Sequence, residues 1–140
     1  MKEAVIVSTA RTGMGKSFRG ALNDTEAPAM GGHAVKSAVE RAGIDPASVE
    51  DVIMGAAAQQ GTQGYNLGRL CSVAAGLPDT TAGMTLDRQC SSGLMSIAWA
   101  AKSIMCDEID VAVAGGLESI SLVQTKHKNS YRNVSKTVTD

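Results

Sequence analysis

RQCSSGLMSIAWAAKSIM, Arg88 to Met105, is the stretch on which the fold turns. From Ser92 onward it reads as one helix, and Leu94, Met95, Ile97, Ala98, Trp99, Ile104 and Met105 are spread around its whole circumference, with Ser96, Lys102 and Ser103 as polar relief. A helix that is apolar nearly all round is buried nearly all round. A single sheet covers one face of such a helix, so the sequence asks for a second layer on the other.

The elements on either side say what the first layer is. Val52–Ala56 and Val111–Ala114 are short apolar runs without alternation, AGMTLDRQ precedes the helix as a further strand, and AVIV at Ala4–Val7 reads as a fully buried strand near the N-terminus. Between them, Ala34, Val35, Ala38, Val39 and Ala42 recur at helical spacing over Ala27–Ala42, with Gly43 as the stop, and Leu67–Ala75 is a second helix ended by Gly76. Pro46 stands near a helical turn start. Strands alternating with helices of these lengths imply crossover units, hence an α/β fold with a mostly parallel mixed sheet and helices on both faces. No internal repeat is present.

Composition narrows the function. With 44% apolar and 3% aromatic residues, 7 Met and 140 residues in all, the chain fills one domain with small and aliphatic side chains. Thirteen basic against 14 acidic residues leave a formal charge of -1, which offers no field for nucleic acid or an anionic membrane. No segment has the length of a membrane span or a secretory signal, and 3 cysteines without CxxC spacing, beside 2 histidines, make no metal set, so a cytoplasmic protein with no metal is expected. Beyond Leu122 the sequence turns polar and basic, with Lys126, Lys128, Arg132 and Lys136, and reads as a loop or partial domain.

Two familiar chemistries fail on spacing. GMGKS at Gly13–Ser17 lacks the first glycine of a phosphate-binding loop, since Ala10 stands there, and Phe18-Arg19-Gly20 promises a bend where that loop needs a helix. No serine occupies a G-x-S-x-G elbow, and His33 and His127 read as surface or packing residues. That leaves Cys90. A free cysteine commonly packs as a small hydrophobe, and Cys71 and Cys106, inside or at the end of apolar helices, are expected to be buried in that way. Cys90 instead stands at the start of a helix, where unpaired N–H groups favour a thiolate and raise reactivity. Gly93 leaves room for something to approach the sulfur.

Taken together, MTLDRQCSSGLMSIAWAAKSI and the later DVAVAGGLESIS resemble the nucleophile segment and the GGxES turn of the thiolase family. AVIVSTARTGMGKSFRGAL is similar to that family's opening strand and ARTPxGxFxGxL loop, and DVIMGAAAQQGTQGYNLGRLCSVAAGLP to its strand, glutamine-containing loop and helix. Gly13 stands in place of the family's proline, and Asp87 in place of its common asparagine.

The resemblance implies a thiolase-like N-terminal half-domain over residues 1–121, with residues 122–140 as the start of the loop domain, normally half of a five-layered αβαβα assembly. It implies that Cys90 is the acyl acceptor with its own N–H as an oxyanion donor, and that Gly115, Gly116 and Glu118 support the site. Coenzyme A or acyl-CoA would be a substrate, with no permanently bound cofactor. The partner would be a second copy in a homo-oligomer or a complementary C-terminal chain. The family's GHP histidine, its CxG cysteine and its NEAF asparagine have no counterpart among the 140 residues, so the chain alone is expected to be inactive. A non-catalytic interaction half, or a ketoacyl-synthase-like condensing enzyme, is the alternative; the GGLES turn and the ARTGMGKSF loop favour thiolase.

Overall fold

The structure, a computed structural model, describes residues 2–124; His127 and the basic segment beyond Gln124 lie outside the described residues. Element order is α1 (Ala27–Ala42), β1 (Asp51–Gly55), α2 (Leu67–Ala74), β2 (Ala82–Leu86), α3 (Ser92–Met105), β3 (Ala112–Gly116) and α4 (Ile120–Val123), with single helical turns at Pro46–Ser48 and Gly61–Gln63. The strands form one parallel sheet in the order β2-β1-β3, Gly55 lying opposite both Leu86 and Gly116.

This order decides where the helices go. The crossover from β1 to β2 steps one way across the sheet, and that from β2 to β3 steps back over β1. Two crossovers of the same right hand running in opposite directions put their helices on opposite faces. α2 therefore covers one face, with α1 packed on it, and α3 covers the other. The α/β class with helices on both faces is as the sequence implies.

On the α1/α2 face the apolar positions close into a core of Val35, Val39, Val52, Met54, Leu67 and Cys71. α1 carries Pro28 in its first turn, preset for helix by its ring, and ends as expected at Gly43, whose left-handed φ of 66° lets its N–H return to the Glu40 carbonyl at 3.2 Å. α2 is capped by Asn66, whose Oδ1 accepts the Arg69 N–H at 3.2 Å. α4 runs across residues 121 and 122, and its Leu122 and Val123 are buried.

The α3 face differs from the expectation in an instructive way. The helix turns its small residues, Ser92, Ser96, Ala100 and Ser103, onto the sheet and buries them. Leu94, Ile97, Trp99 and Met105 point outward, with Leu94 72% exposed. The serines read as polar relief are thus the packed surface, because small side chains let helix and sheet approach closely. Ser96 Oγ lies 2.7 Å from both Gly93 O and Gly115 O, so its proton ties the helix to β3.

Two further expectations are corrected. Ala4–Val7 is not a buried strand: among the described residues the segment pairs with no strand, and Val5, Ile6 and Val7 are exposed. A β-branched run becomes a strand only where a neighbour takes up its N–H and C=O groups, and here the segment is tied by side chains instead, through Lys2 to Asp107 and Asp110 and through Arg41 to the Thr9 carbonyl at 2.9 Å. Those carboxylates push the Lys2 ammonium above its ordinary range. Cys106, expected to be buried, is exposed, since it caps α3 just before the chain leaves at Asp107 with a φ of 64°.

Candidate active site

All three strands run the same way, so the loops that follow them, residues 56–66, 87–91 and 117–119, gather at one edge of the sheet. The carboxyl ends of parallel strands are where open α/β sheets bind ligands. Cys90 lies in the middle loop, one residue before Ser91 caps α3, and it is exposed.

Local chemistry builds the turn that presents it. Asp87 Oδ1 accepts the Gln89 N–H at 2.7 Å, so the carboxylate in the asparagine place still holds the backbone. Ser92 Oγ accepts the Arg88 N–H at 2.8 Å and donates to the Gln89 carbonyl at 2.6 Å. The N–H groups of Ser91 and Ser92 reach back to the Arg88 and Gln89 carbonyls at 3.1 and 3.0 Å. Gln89 takes a left-handed φ of 52°, which costs a residue with a side chain roughly 1–3 kcal/mol and persists only where its surroundings impose it. The strain falls next to the thiol, which the turn lifts into the open at the N-terminus of a helix. There the dipole and unpaired N–H groups favour negative charge, as a thiolate or an oxyanion requires.

Beneath the turn is a seat without side chains. A Cβ on Gly55 would run into the carbonyl of Ser92, and one on Gly116 would lie 2.7 Å from Gly93 Cα. The first turn of α3 therefore rests directly on the ends of β1 and β3, which the sequence reading found only in part through Gly116. Gly55, Ser92 and Ser96 were missed; a glycine ending a buried apolar run is their one sequence-level signal.

Around the seat the loops are stitched together. Ala56 N donates to Leu86 O and Leu117 N to Gly55 O, both at 3.1 Å. Glu118 Oε2 accepts the Ala57 N–H at 2.9 Å, and Oε1 accepts the Ala58 N–H at 3.2 Å and the Gln63 Nε2 at 2.6 Å. Gly116 thus meets the first turn of α3 at Gly93 and the Gly115 carbonyl meets Ser96, while Glu118 holds the loop after β1.

Other candidates fall away from the site. Cys71 is buried between α1 and α2, and burial pushes its thiol up to about 12. His33 is exposed on α1, which packs on the face opposite α3. The GMGKS segment bends at residues 17–20, where the Gly20 N–H closes on the Lys16 carbonyl at 2.7 Å, so no helix receives a phosphate there. That segment instead lines a cleft of about 370 Å³ with Met30, Leu117 and Glu118, and Cys90 does not line it. Among the described residues no group of His, Cys, Asp and Glu is placed to hold a metal ion, and no helix is long and apolar enough to cross a membrane.

Comparison with known proteins agrees with the geometry. Residues 4–139 match the family model described as the thiolase N-terminal domain. The chain is 46% identical over 123 residues to a 3-ketoacyl-CoA thiolase of Bacillus subtilis (strain 168), covering 88% of this chain and 32% of that one. It is 42% identical over 136 residues to an acetyl-CoA acetyltransferase of Escherichia coli (strain K12), covering 94% and 34%. Among solved structures it resembles the Bacillus anthracis acetyl-CoA acetyltransferase, with a TM-score of 0.81 and 38% identity over 86% of this chain and 30% of that chain. The chain spans about a third of the length of the curated relatives it matches.

Proposed function

The chain belongs to the thiolase family, and from that membership we propose that Cys90 takes up an acyl group from coenzyme A. The observation that carries this reading is an exposed thiol at the start of α3, at the carboxyl edge of the sheet, on a turn strained at Gln89.

The step follows from the chemistry of the place. The Cys90 thiolate attacks the thioester carbonyl of an acyl-CoA, a new C–S bond forms, the bond to the coenzyme breaks, and the departing CoA thiolate takes up a proton. The oxyanion formed on the way lies at the helix N-terminus, with the Cys90 N–H as one donor. In condensation the acyl group taken from acetyl-CoA passes to the carbanion of a second acetyl-CoA. In thiolysis the thiolate attacks the 3-keto carbonyl of a 3-ketoacyl-CoA, the C2–C3 bond breaks, acetyl-CoA leaves as its carbanion and is protonated, and the remaining acyl group passes to CoA. Acyl uptake by the thiolate requires no further group, but completing either direction needs a base that forms or protonates the carbanion. His33, exposed on the far face, does not serve, and we assign that role to the C-terminal part of the family's fold.

Residues 1–121 then act as the nucleophile-bearing domain and residues 122–140 as the start of the loop domain, in a five-layered assembly completed by a C-terminal part. The outward-facing Leu94, Ile97 and Trp99 support a second layer there, and they equally suit a non-catalytic half that docks on a partner. A thiolate nucleophile needs a compartment that keeps it reduced, and the cytoplasm is the one we assign.

The test is intact-mass analysis after incubation with acetyl-CoA. The 140-residue chain gains one acetyl group, mapped to Cys90 and lost in Cys90→Ser, without turning over acetoacetyl-CoA and CoA. An unlabelled Cys90 overturns the acyl-acceptor reading; steady turnover overturns the assignment of the base to another part.

A further inference from the structure

Gln63 is a loop amide that is completely buried, and every polar atom on it is used. Its Nε2 donates to Glu118 Oε1 at 2.6 Å and to the Ala58 carbonyl at 2.8 Å, while its Oε1 accepts the Ser119 N–H. Glu118 in turn receives three donors, two of them backbone N–H groups just past β1. We propose that Gln63 and Glu118 are positioning residues for Cys90, locking the loop after β1 to the turn after β3 and so fixing the glycine seat under α3.

The distances along the chain explain the coupling. Ala57 lies two residues past Gly55, and Glu118 two past Gly116; these glycines face each other in the β1–β3 register. The bond from Glu118 to Ala57 therefore continues the pairing of β1 and β3 beyond the strand ends, by a side chain where the ladder has stopped. If the two ends splay, the surface under Ser92 and Gly93 widens, and the first turn of α3 loses the contact that sets its tilt. Cys90 sits directly before that turn, so its sulfur and N–H move with it.

The residue types fit the task and resist replacement. Three converging donors need an acceptor with lone pairs on two oxygens, which a carboxylate has and an amide has on one oxygen only. Bonds from N–H groups to a carboxylate are roughly twice as strong as neutral ones, which suits a clamp at the edge of the fold. Gln63 must donate twice and accept once, and neither leucine nor glutamate of similar size does both.

This inference rests on the reading that Cys90 is the acyl acceptor, and its test is built to fail separately. The 140-residue chain, Glu118→Gln and Gln63→Leu are alkylated with iodoacetamide across pH, the label at each cysteine is counted by peptide mass, and far-UV circular dichroism and thermal unfolding are recorded beside it. In folded variants the alkylation rate of Cys90 at pH 7 falls about tenfold. Acetyl uptake from acetyl-CoA falls in parallel, while exposed Cys106 reacts as before. Folded variants with an unchanged Cys90 profile overturn the proposal, whatever their melting temperature. If Gln63→Leu fails to fold, Glu118→Gln decides, since it keeps volume and one acceptor; loss of fold in both makes the pair structural and overturns the positioning role. If the unsubstituted chain takes no acetyl group at Cys90, the acyl-acceptor reading fails, and the alkylation profiles still decide this one.

Discussion

The two faces of the sheet have been given opposite packing rules. On the α1/α2 face, large side chains such as Val39, Val52 and Leu67 point inward and are buried. On the α3 face the inward residues are three serines and an alanine, and the large side chains point away from the sheet. The first arrangement buries apolar area within these residues and holds the fold together. The second brings a helix close enough to rest on bare backbone at Gly55 and Gly116, which fixes a helix start to the strand ends more tightly than a layer of leucines would. Stability is vested in one face and the geometry of Cys90 in the other.

The sharpest way to break this contrast is to compare one functional group on both sides. Cys71 is fully buried on the closed face, and with its thiol pushed up to about 12 it is ionised at roughly one part in ten thousand at pH 8. Iodoacetamide at pH 8 is therefore expected to modify Cys90 at least about a thousandfold faster than Cys71, and denaturant erases the difference. Similar rates in the folded chain would mean that the closed face is not closed. The same burial fixes a pH dependence. The native state holds the Cys71 proton more tightly than the unfolded chain, so stability falls as pH rises from about 8.5 toward 12.

A smaller effect follows from the side chains themselves. Leu67 is buried completely and Leu94 is 72% exposed, though each is a leucine in or at the start of a helix that packs on the same sheet. Leu67→Ala is expected to cost roughly 2–5 kcal/mol in urea unfolding, and Leu94→Ala less than about 0.5 kcal/mol. Equal losses would show that the α3 face is covered within the chain. A large loss at Leu94 only when a candidate partner polypeptide is present would instead identify what covers it.

The same division explains what could be read in advance. α1 and α3 come out at their expected limits, Ala27–Ala42 and Ser92–Met105, because helical periodicity and a glycine stop are local signals. β1 and β3 appear within a residue or two, since short apolar runs between turn residues have few other uses, whereas β2 stops at Leu86, three residues before the end of AGMTLDRQ, because Asp87 and Gln89 form a turn. Ala4–Val7 was misread because a strand needs a partner, and pairing is a property of distant residues. Which way α3 would face was equally hidden: a wheel apolar all round does not say whether serines or leucines meet the sheet. At the site, the position of Cys90 just before α3 was legible from the helix start. Gln63 was not, because the bonds that make an ordinary loop amide into a clamp close over 55 and 56 residues of chain.

The smallest effect expected lies at the other edge of the sheet and tests whether the carboxyl edge is special. Asp51 opens β1, the strand that both faces share, with its Oδ1 buried and, among the described residues, without a hydrogen-bond partner. Burial, opposed by a bond from the Val52 N–H, raises its carboxyl above the ordinary carboxylate value. A raised acid binds its proton more tightly in the native state, so its charge weakens the fold increasingly as pH rises through and above about 4. Asp51→Asn is then expected to raise the melting temperature by roughly 2 °C at pH 7, with the gain disappearing below about pH 4. Because Asp51 stands at the amino end of the strand whose carboxyl end seats α3, the substitution leaves the alkylation rate of Cys90 unchanged. A changed rate would mean that the two edges of β1 are coupled through the sheet, and that strain at Gln89 is balanced against an uncomfortable charge at the opposite end of the central strand.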